Sequence, residues 1–381
     1  MDNTIDAREF CDTLARRGLD FFCGVPDSLL ADLCACVADD ATPFENLICA
    51  NEGNAVGVAC GWYVGTGRPA VVYMQNSGEG NAVNPLLSLA DPDVYGIPMM
   101  LVIGWRGEPG IPDEPQHAKQ GKVTLALLEA MGVPFKVLNP ALWESQIAEL
   151  STTMAQSSRP VAIVVRKGTF ASYPHAPEAL PLPLTRETAL ETILSEMGTS
   201  DLVVSTTGKE SREVFEVRER RHEPHDRDFL TVGGMGHTLS IALGLARGCN
   251  RKVWCLDGDG SMLMHLGGLA VAAQCWPDNL RYIVNVNGAH ESVGGQPNVA
   301  GRIDVPAVLC GLGLGRVLEA SDRDQLASGM RDLACGSARA LVVYTRQGSR
   351  GNLGRPTVAP AANMAAMMRL LDSTPSEGGL Q

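Results

Sequence analysis

The 381 residues hold no excess of basic charge: 31 Lys and Arg stand against 43 Asp and Glu, a formal net charge of −12. A balance of that sign gives nucleic acids and anionic membranes little to bind. No apolar run is long enough to cross a bilayer; the longest, around Pro98 to Trp105, falls well short of the ~20 residues a spanning helix needs. Met1-Asp2-Asn3 lacks the basic and apolar regions of a secretory signal. None of the eleven cysteines stands in a CxxC pair, and Cys34 and Cys36 are too close for half a zinc site. Most sit in apolar runs, as Cys49, Cys60, Cys255 and Cys310 do, and read as reduced core residues of a cytoplasmic protein. No G-x-G-x-x-G follows the strand at Val253, which argues against a dinucleotide site.

What is present is concentrated between Val253 and Pro297. A short apolar strand, Val253 to Leu256, opens onto Asp257-Gly258-Asp259-Gly260-Ser261, and a segment of helical spacing follows with Leu263, Leu266 and Leu269 near one face. Trp276-Pro277-Asp278-Asn279 turns the chain. A second strand, Leu280 to Val284, delivers Asn285, Asn287 and Gly288-Ala289-His290-Glu291. Hard oxygen ligands thus lie at the carboxyl ends of two successive strands of one βαβ unit. The physical reading is a magnesium diphosphate site. N–H groups of a Gly-rich turn at a helix start favour an anion, and a carboxylate beside a phosphate calls for a cation between them. Asp259 supplies the charge, Asn287 a side-chain oxygen and Ala289 a backbone carbonyl, while Ser261 is placed to bond a phosphate. Asn285 competes with Asn287. The competing reading is a tight turn with Asp259 as helix N-cap.

Before that stretch, strands and helices alternate. Helix is expected over Ile5 to Gly18, from Asp27-Ser28 to about Val37, over Ala55 to Val64, Asn81 to Leu89 and Thr124 to Met131. Strands are expected at Phe21 to Val25, Leu47 to Ala50, Ala70 to Met74, Met99 to Gly104 and Val161 to Arg166. The pattern predicts an α/β fold of two doubly wound, largely parallel-sheet domains with ligand sites at strand carboxyl ends. The expected divisions are a first domain over 1–172, a Pro-rich linker over 173–184, a second domain over 185–358, and a C-terminal helix and disordered tail over 359–381.

Gly258-Asp259-Gly260-Ser261, with Asn287 28 positions after Asp259, resembles the motif of thiamine diphosphate (ThDP) enzymes. Val286-Asn287 departs from that family's Asn-Asn pair. The resemblance makes the first domain the pyrimidine-binding half and the second the diphosphate-binding half, and leaves no room for the middle domain of larger relatives. ThDP chemistry needs a carboxyl group at the pyrimidine ring, and burial favours the neutral acid that can share its proton. Glu52, directly after a strand in Ala50-Asn51-Glu52-Gly53-Asn54, fits that part. Met235, in Gly233-Gly234-Met235-Gly236, resembles the apolar wedge that holds the cofactor folded. Gln75, Asn76 and Gly208 complete the expected cofactor contacts.

Longer blocks resemble the phosphonopyruvate decarboxylase family. They are Gly24-Val25-Pro26-Asp27-Ser28, Tyr73 to Gly78, Gly104-Trp105-Arg106-Gly107, Asp113-Glu114-Pro115-Gln116-His117 and Asn287 to Pro297. The resemblance implies Mg²⁺- and ThDP-dependent decarboxylation of a small anionic 2-oxo acid by a homo-oligomer, at least a dimer, whose sites are shared between subunits. Asp27, His117 and His290 are further candidate catalytic groups, the first two as proton donors. Asp27, Ser28, Ser77, Arg106, His117, Lys119 and Lys209 are candidate substrate contacts. A sulfopyruvate decarboxylase, a pyruvate-using enzyme and a non-catalytic ThDP-binding subunit are the rivals; Glu52 argues against the last.

Overall fold

The computed structural model describes residues 4–174 and 182–373. The chain divides into two compact units, Met1–Pro177 with His290–Pro297, and Glu178–Ala289 with Asn298–Gln381. Most of the expected linker, residues 175–181, and the expected tail from 374 lie outside the described residues.

The N-terminal unit is built on β1 (Phe21–Gly24), β2 (Glu45–Ile48), β3 (Ala70–Gln75), β4 (Met99–Gly104), β5 (Phe135–Val137) and β6 (Val161–Val165). They form one sheet in the order β2-β1-β3-β4-β6-β5, every pair parallel. Its central strands, β3 as far as Met74 and β4 throughout, are apolar because both faces are covered. In β3, Val71 and Tyr73 enter one core and Val72 and Met74 the other; in β4, Met100 and Val102 oppose Met99, Leu101 and Ile103. Each such fully buried Val, Leu or Ile contributes about 1.5–3 kcal/mol. The covering helices are α1 (Ala7–Ala15), α2 (Ala31–Val37), α3 (Glu52–Thr66), α4 (Glu79–Pro85), α5 (His117–Ala130) and α6 (Trp143–Ser157).

The C-terminal unit repeats the plan. β7 (Leu202–Ser205), β8 (Asp228–Leu230), β9 (Val253–Gly258), β10 (Leu280–Val286), β13 (Val317–Ala320) and β14 (Ala340–Tyr344) form a parallel sheet ordered β13-β14-β10-β9-β7-β8, while β11 (Ala289–His290) and β12 (Gln296–Pro297) make a separate ribbon. Its helices are α7 (Arg186–Glu196), α8 (Lys209–Arg220), α9 (Thr238–Gly248), α10 (Asp259–Met264), α11 (Gly267–Gln274), α12 (Val305–Leu309), α13 (Arg323–Ala334) and α14 (Pro360–Asp372). Two six-stranded parallel sheets agree with the expected fold class, and no middle domain stands between them among the described residues.

Several local expectations need correction. α2 begins at Ala31 without a side-chain cap, so Asp27 and Ser28 do not open it. The Asp27 carboxylate instead accepts the Leu29 N–H at 3.1 Å and turns toward β3. α5 starts at His117 rather than Thr124. Trp105 donates its indole N–H to Gly121 O at 2.8 Å, anchoring that earlier turn. The helix after Asp259 is two helices, broken where His265 stacks on His237 with ring centroids 4.5 Å apart. Cys310 is exposed, on a π-helical turn after α12 that faces outward, and is not a core residue. The eleven cysteines are all free.

Candidate active site

In the N-terminal unit, successive strands leave their carboxyl ends carrying functional side chains: Asp27 and Ser28 follow β1, Glu52 follows β2, Gln75 ends β3 and Arg106 follows β4. Parallel pairing across β2, β1, β3 and β4 gathers these ends along one edge. Glu52 is the first residue of α3, capped by Asn51, whose side chain accepts the Gly53 N–H at 2.7 Å. It is 5% exposed, and Asn81 donates to its Oε2 at 2.7 Å. Burial raises its carboxyl, and the Asn81 bond only partly opposes this. Gly78 is required beside it: a Cβ there would stand 2.3 Å from Glu52 Oε1.

Asp27 is wholly buried, and Gln75 Nε2 donates to its Oδ1 at 2.5 Å. Burial pushes its carboxyl up against the pull of Gln75 and Arg106. Its space exists because β4 ends in glycine; a Cβ on Gly104 would lie 2.0 Å from Asp27 Oδ2. Ser77 donates to Gln75 Oε1 at 2.7 Å, so Gln75 ties Ser77 to Asp27. Asn76 faces the other way. It donates to Arg106 O and Thr124 Oγ1, both at 2.9 Å, and accepts the Arg106 N–H at 3.1 Å.

Arg106 is held on three sides. Its Nε and Nη2 grip Asp113 at 2.8 and 2.5 Å, and Nη1 donates to Ser28 Oγ at 2.8 Å. Desolvation alone would raise the Asp113 carboxyl, but the Arg106 fork and the Glu114 and Gly107 N–H groups hold it well below the usual carboxylate range. A cavity of about 230 Å³ opens here, lined by residues including Ser28, Trp105, Arg106, Asp113 and Lys167. His117 is 7% exposed at the start of α5, with Nδ1 3.2 Å from Gln120 Oε1; burial, then the Arg106 charge, lowers its pKa. His290 is buried in the same unit and is pushed down to about 4 by burial. Lys119 is exposed on α5.

In the C-terminal unit, Asp259 and the Asn287 loop meet. Asp259 is 4% exposed; its Oδ1 accepts from Gly260 N at 2.7 Å and Asn298 Nδ2 at 2.9 Å, and its Oδ2 from Gly288 N at 2.8 Å and Asn287 N at 3.1 Å. Asn287 Oδ1 accepts the Ala289 N–H at 3.0 Å. Asn285 points elsewhere, 3.5 Å from Glu210 Oε2, so of the two asparagines it is Asn287 whose loop meets Asp259. Burial pushes Asp259 up to about 6 against those four donors. All of its bonds are to neutral groups, and it has no ion-pair partner among the described residues. A buried carboxylate in that condition, next to an amide and backbone carbonyls, fits a hard divalent cation. The glycine turns adjoin it. Ser261 Oγ accepts the Gly236 N–H at 3.1 Å, and Thr207 Oγ1 donates to Val232 O at 2.8 Å. The Gly208 turn at the start of α8, the loop carrying half-buried Met235 between Gly234 and Gly236, and the Gly258–Ser261 turn are thereby neighbours. Lys209 is the first residue of α8.

Residues 7–128 match the family model of the thiamine pyrophosphate enzyme N-terminal TPP binding domain, and residues 207–332 that of the C-terminal TPP binding domain. A phosphonopyruvate decarboxylase of Streptomyces viridochromogenes is 34% identical over 98% of this chain and 96% of its own length. The chain belongs to the phosphonopyruvate decarboxylase family of thiamine diphosphate enzymes. A phosphonopyruvate decarboxylase of Streptomyces hygroscopicus is 35% identical over 93% of the chain and 91% of its own length. A sulfopyruvate decarboxylase of Methanosarcina acetivorans is 27% identical over 78% and 81%.

The protein is therefore a ThDP-dependent decarboxylase, and ThDP fits the residues present. The cofactor supplies the electron sink that takes up the charge left when CO₂ departs. Five side chains of these two half-sites went unremarked in the sequence. Asn81, Thr124 and Asn298 are distant in sequence from the groups they hold, and no spacing rule points to them. Asp113 opens the Asp113–His117 segment, but its role as the Arg106 counterion depends on a loop closing over seven residues. Lys167, two residues past β6, carried a readable signal: a basic residue at a strand carboxyl end.

Proposed function

We propose that this decarboxylase converts 3-phosphonopyruvate to phosphonoacetaldehyde and CO₂, with Mg²⁺ as second cofactor, in cytoplasmic phosphonate natural-product biosynthesis. The observation that carries the reading is full-length similarity to two phosphonopyruvate decarboxylases at 34% and 35% identity. The cavity beside Ser28 and Arg106 supports it, since that is where a strongly anionic acid would find a fixed guanidinium. In this reading Asp259, the Asn287 side chain and the Ala289 carbonyl hold Mg²⁺, and Gly208, Gly258, Gly260 and Ser261 meet the diphosphate. Gly234 and Met235 shape the cofactor, with Gln75 and Asn76 near its pyrimidine.

Glu52 holds a proton on a buried carboxyl oxygen, where it would be shared with the pyrimidine of bound ThDP. Asn81 fixes which oxygen faces away. Asp27 and His117 are the two candidates for giving the proton to the product carbon; for Asp27, burial keeps the carboxyl protonated to higher pH, and Gln75 orients it. Ser28, Ser77, Arg106, Lys119 and Lys209 contact the acid, and His290 is a further candidate catalytic group. The active form is a homo-oligomer, at least a dimer, with each site shared between subunits.

A sulfopyruvate substrate is the second reading, favoured by the similarity to the Methanosarcina acetivorans protein. The test is to supply ThDP and Mg²⁺ with phosphonopyruvate, sulfopyruvate or pyruvate and follow CO₂ and aldehyde release. Dominant turnover of phosphonopyruvate is expected; dominant turnover of either other acid overturns the assignment.

A further inference from the structure

We propose that Lys167 determines specificity by binding a second anionic group of the substrate, above a floor made by Arg106 and Ser28. The inference rests on the reading of this protein as a phosphonopyruvate decarboxylase and adds to it a residue and a division of labour.

The charges around the cavity are unequal in freedom. Arg106 is already neutralised by the two-point grip of Asp113 and pinned to Ser28 by its remaining nitrogen. It is a rigid donor whose charge is largely spent. Glu108 also lines the cavity, and Arg166 takes it at 2.8 Å. Lys167 lines the same cavity, is exposed to it, and has no ion-pair partner among the described residues. Of the cations lining this cavity it is the one whose charge nothing in the described structure balances. It stands just past β6, next to β4, which leads into Arg106. Ser28 follows β1, so three strand ends frame the cavity.

An ammonium suits the task. It is a compact charge with three donors on a flexible stem, able to follow the three oxygens of a phosphonate, whereas the clamped guanidinium offers a fixed direction. Both anionic groups of the substrate can then be met, the carboxylate at Arg106 and Ser28 and the phosphonate at Lys167. A 2-oxo acid with only its carboxylate has no group to place against Lys167. Selectivity for the doubly anionic acid follows from the one uncommitted cation, while Arg106 and Ser28 orient the bound molecule.

The experiment compares Lys167→Met, which keeps the aliphatic stem, with the full-length wild type loaded with ThDP and Mg²⁺. KM for phosphonopyruvate is expected to rise at least tenfold while kcat falls less than threefold. The Kd of 3-phosphonopropionate, an unreactive analogue read by calorimetry, is expected to rise in parallel. Lys167→Arg recovers most of both, and Lys136→Met, at a surface pair with Glu149, changes neither. Unchanged KM and Kd in Lys167→Met overturn the proposal while leaving the phosphonopyruvate assignment standing. If the wild type instead turns over sulfopyruvate, that assignment fails. The role of Lys167 is then judged by the same KM and Kd comparison with sulfopyruvate: a tenfold rise upholds it, and no change overturns it.

Discussion

Glu79 sets burial directly against charge. The residue is 3% exposed at the start of α4, and its Oε1 has no hydrogen-bond partner among the described residues. Burial lifts its carboxyl from 4.5 to about 8, with the Thr124 hydroxyl pulling weakly the other way. In the window from 4.5 to about 8 the folded chain keeps a proton that the unfolded chain has released. Stability is therefore full below the unfolded value, falls as pH rises through the window, and stops falling once both states are ionised. At about 1.36 kcal/mol per unit, the shift is worth at most about 5 kcal/mol. Relaxation and water penetration around an ionised buried group reduce this, and ~2 kcal/mol is expected. Glu79→Gln keeps the shape and cannot ionise. It should match the wild type at pH 4, below the unfolded value, and be more stable by ~2 kcal/mol at pH 8.5, a Tm gain of about 4–8 °C for a unit of this size. Calorimetric melts at the two pH values, with and without ThDP, give the comparison. An equal Tm difference at both pH values, or a variant that loses ground as pH rises, would refute the reasoning.

Three further outcomes follow from the half-sites. Glu52→Gln should lower kcat by about 10²-fold or more while leaving the melting curve in place, because Gln still accepts from Asn81 but cannot share a proton; retained turnover would remove Glu52 from the chemistry. Gly104→Ala forces the Asp27 carboxyl out of its position, costing about 1–3 kcal/mol of stability, with a larger proportional loss in kcat/KM. Asn298→Ala removes one of the two donors that orient Asp259 Oδ1 and should weaken Mg²⁺ affinity about 10- to 100-fold, read as the Mg²⁺ concentration needed for ThDP-dependent stabilisation. Asn285→Ala, facing Glu210, should leave that concentration unchanged.

Much of this protein is readable in one dimension because its signals are local. Apolar runs such as Val161–Val165 and Met99–Gly104 are strands buried on both faces, and a chain alternating them with helices has few ways to fold other than as parallel sheets. Gly258-Asp259-Gly260 and Asn287 are legible for a related reason: parallel strands bring their carboxyl ends to one edge, so residues 28 apart in sequence meet by topology alone. Glu52 is legible because it sits where β2 gives way to α3. Tertiary packing decided the rest. That Asp27 turns toward Gln75 instead of capping a helix depends on the space left by Gly104, a residue of another strand. Whether Asn285 or Asn287 meets Asp259 was settled by where β10 ends: Asn285 is still in the strand, against Glu210, while the loop that begins after Val286 turns the Asn287 and Gly288 N–H groups onto Asp259. Which cation is spent and which is free, Arg106 on Asp113 or Lys167 on nothing described, depends on distances between three strand ends, and a linear sequence contains no such distances.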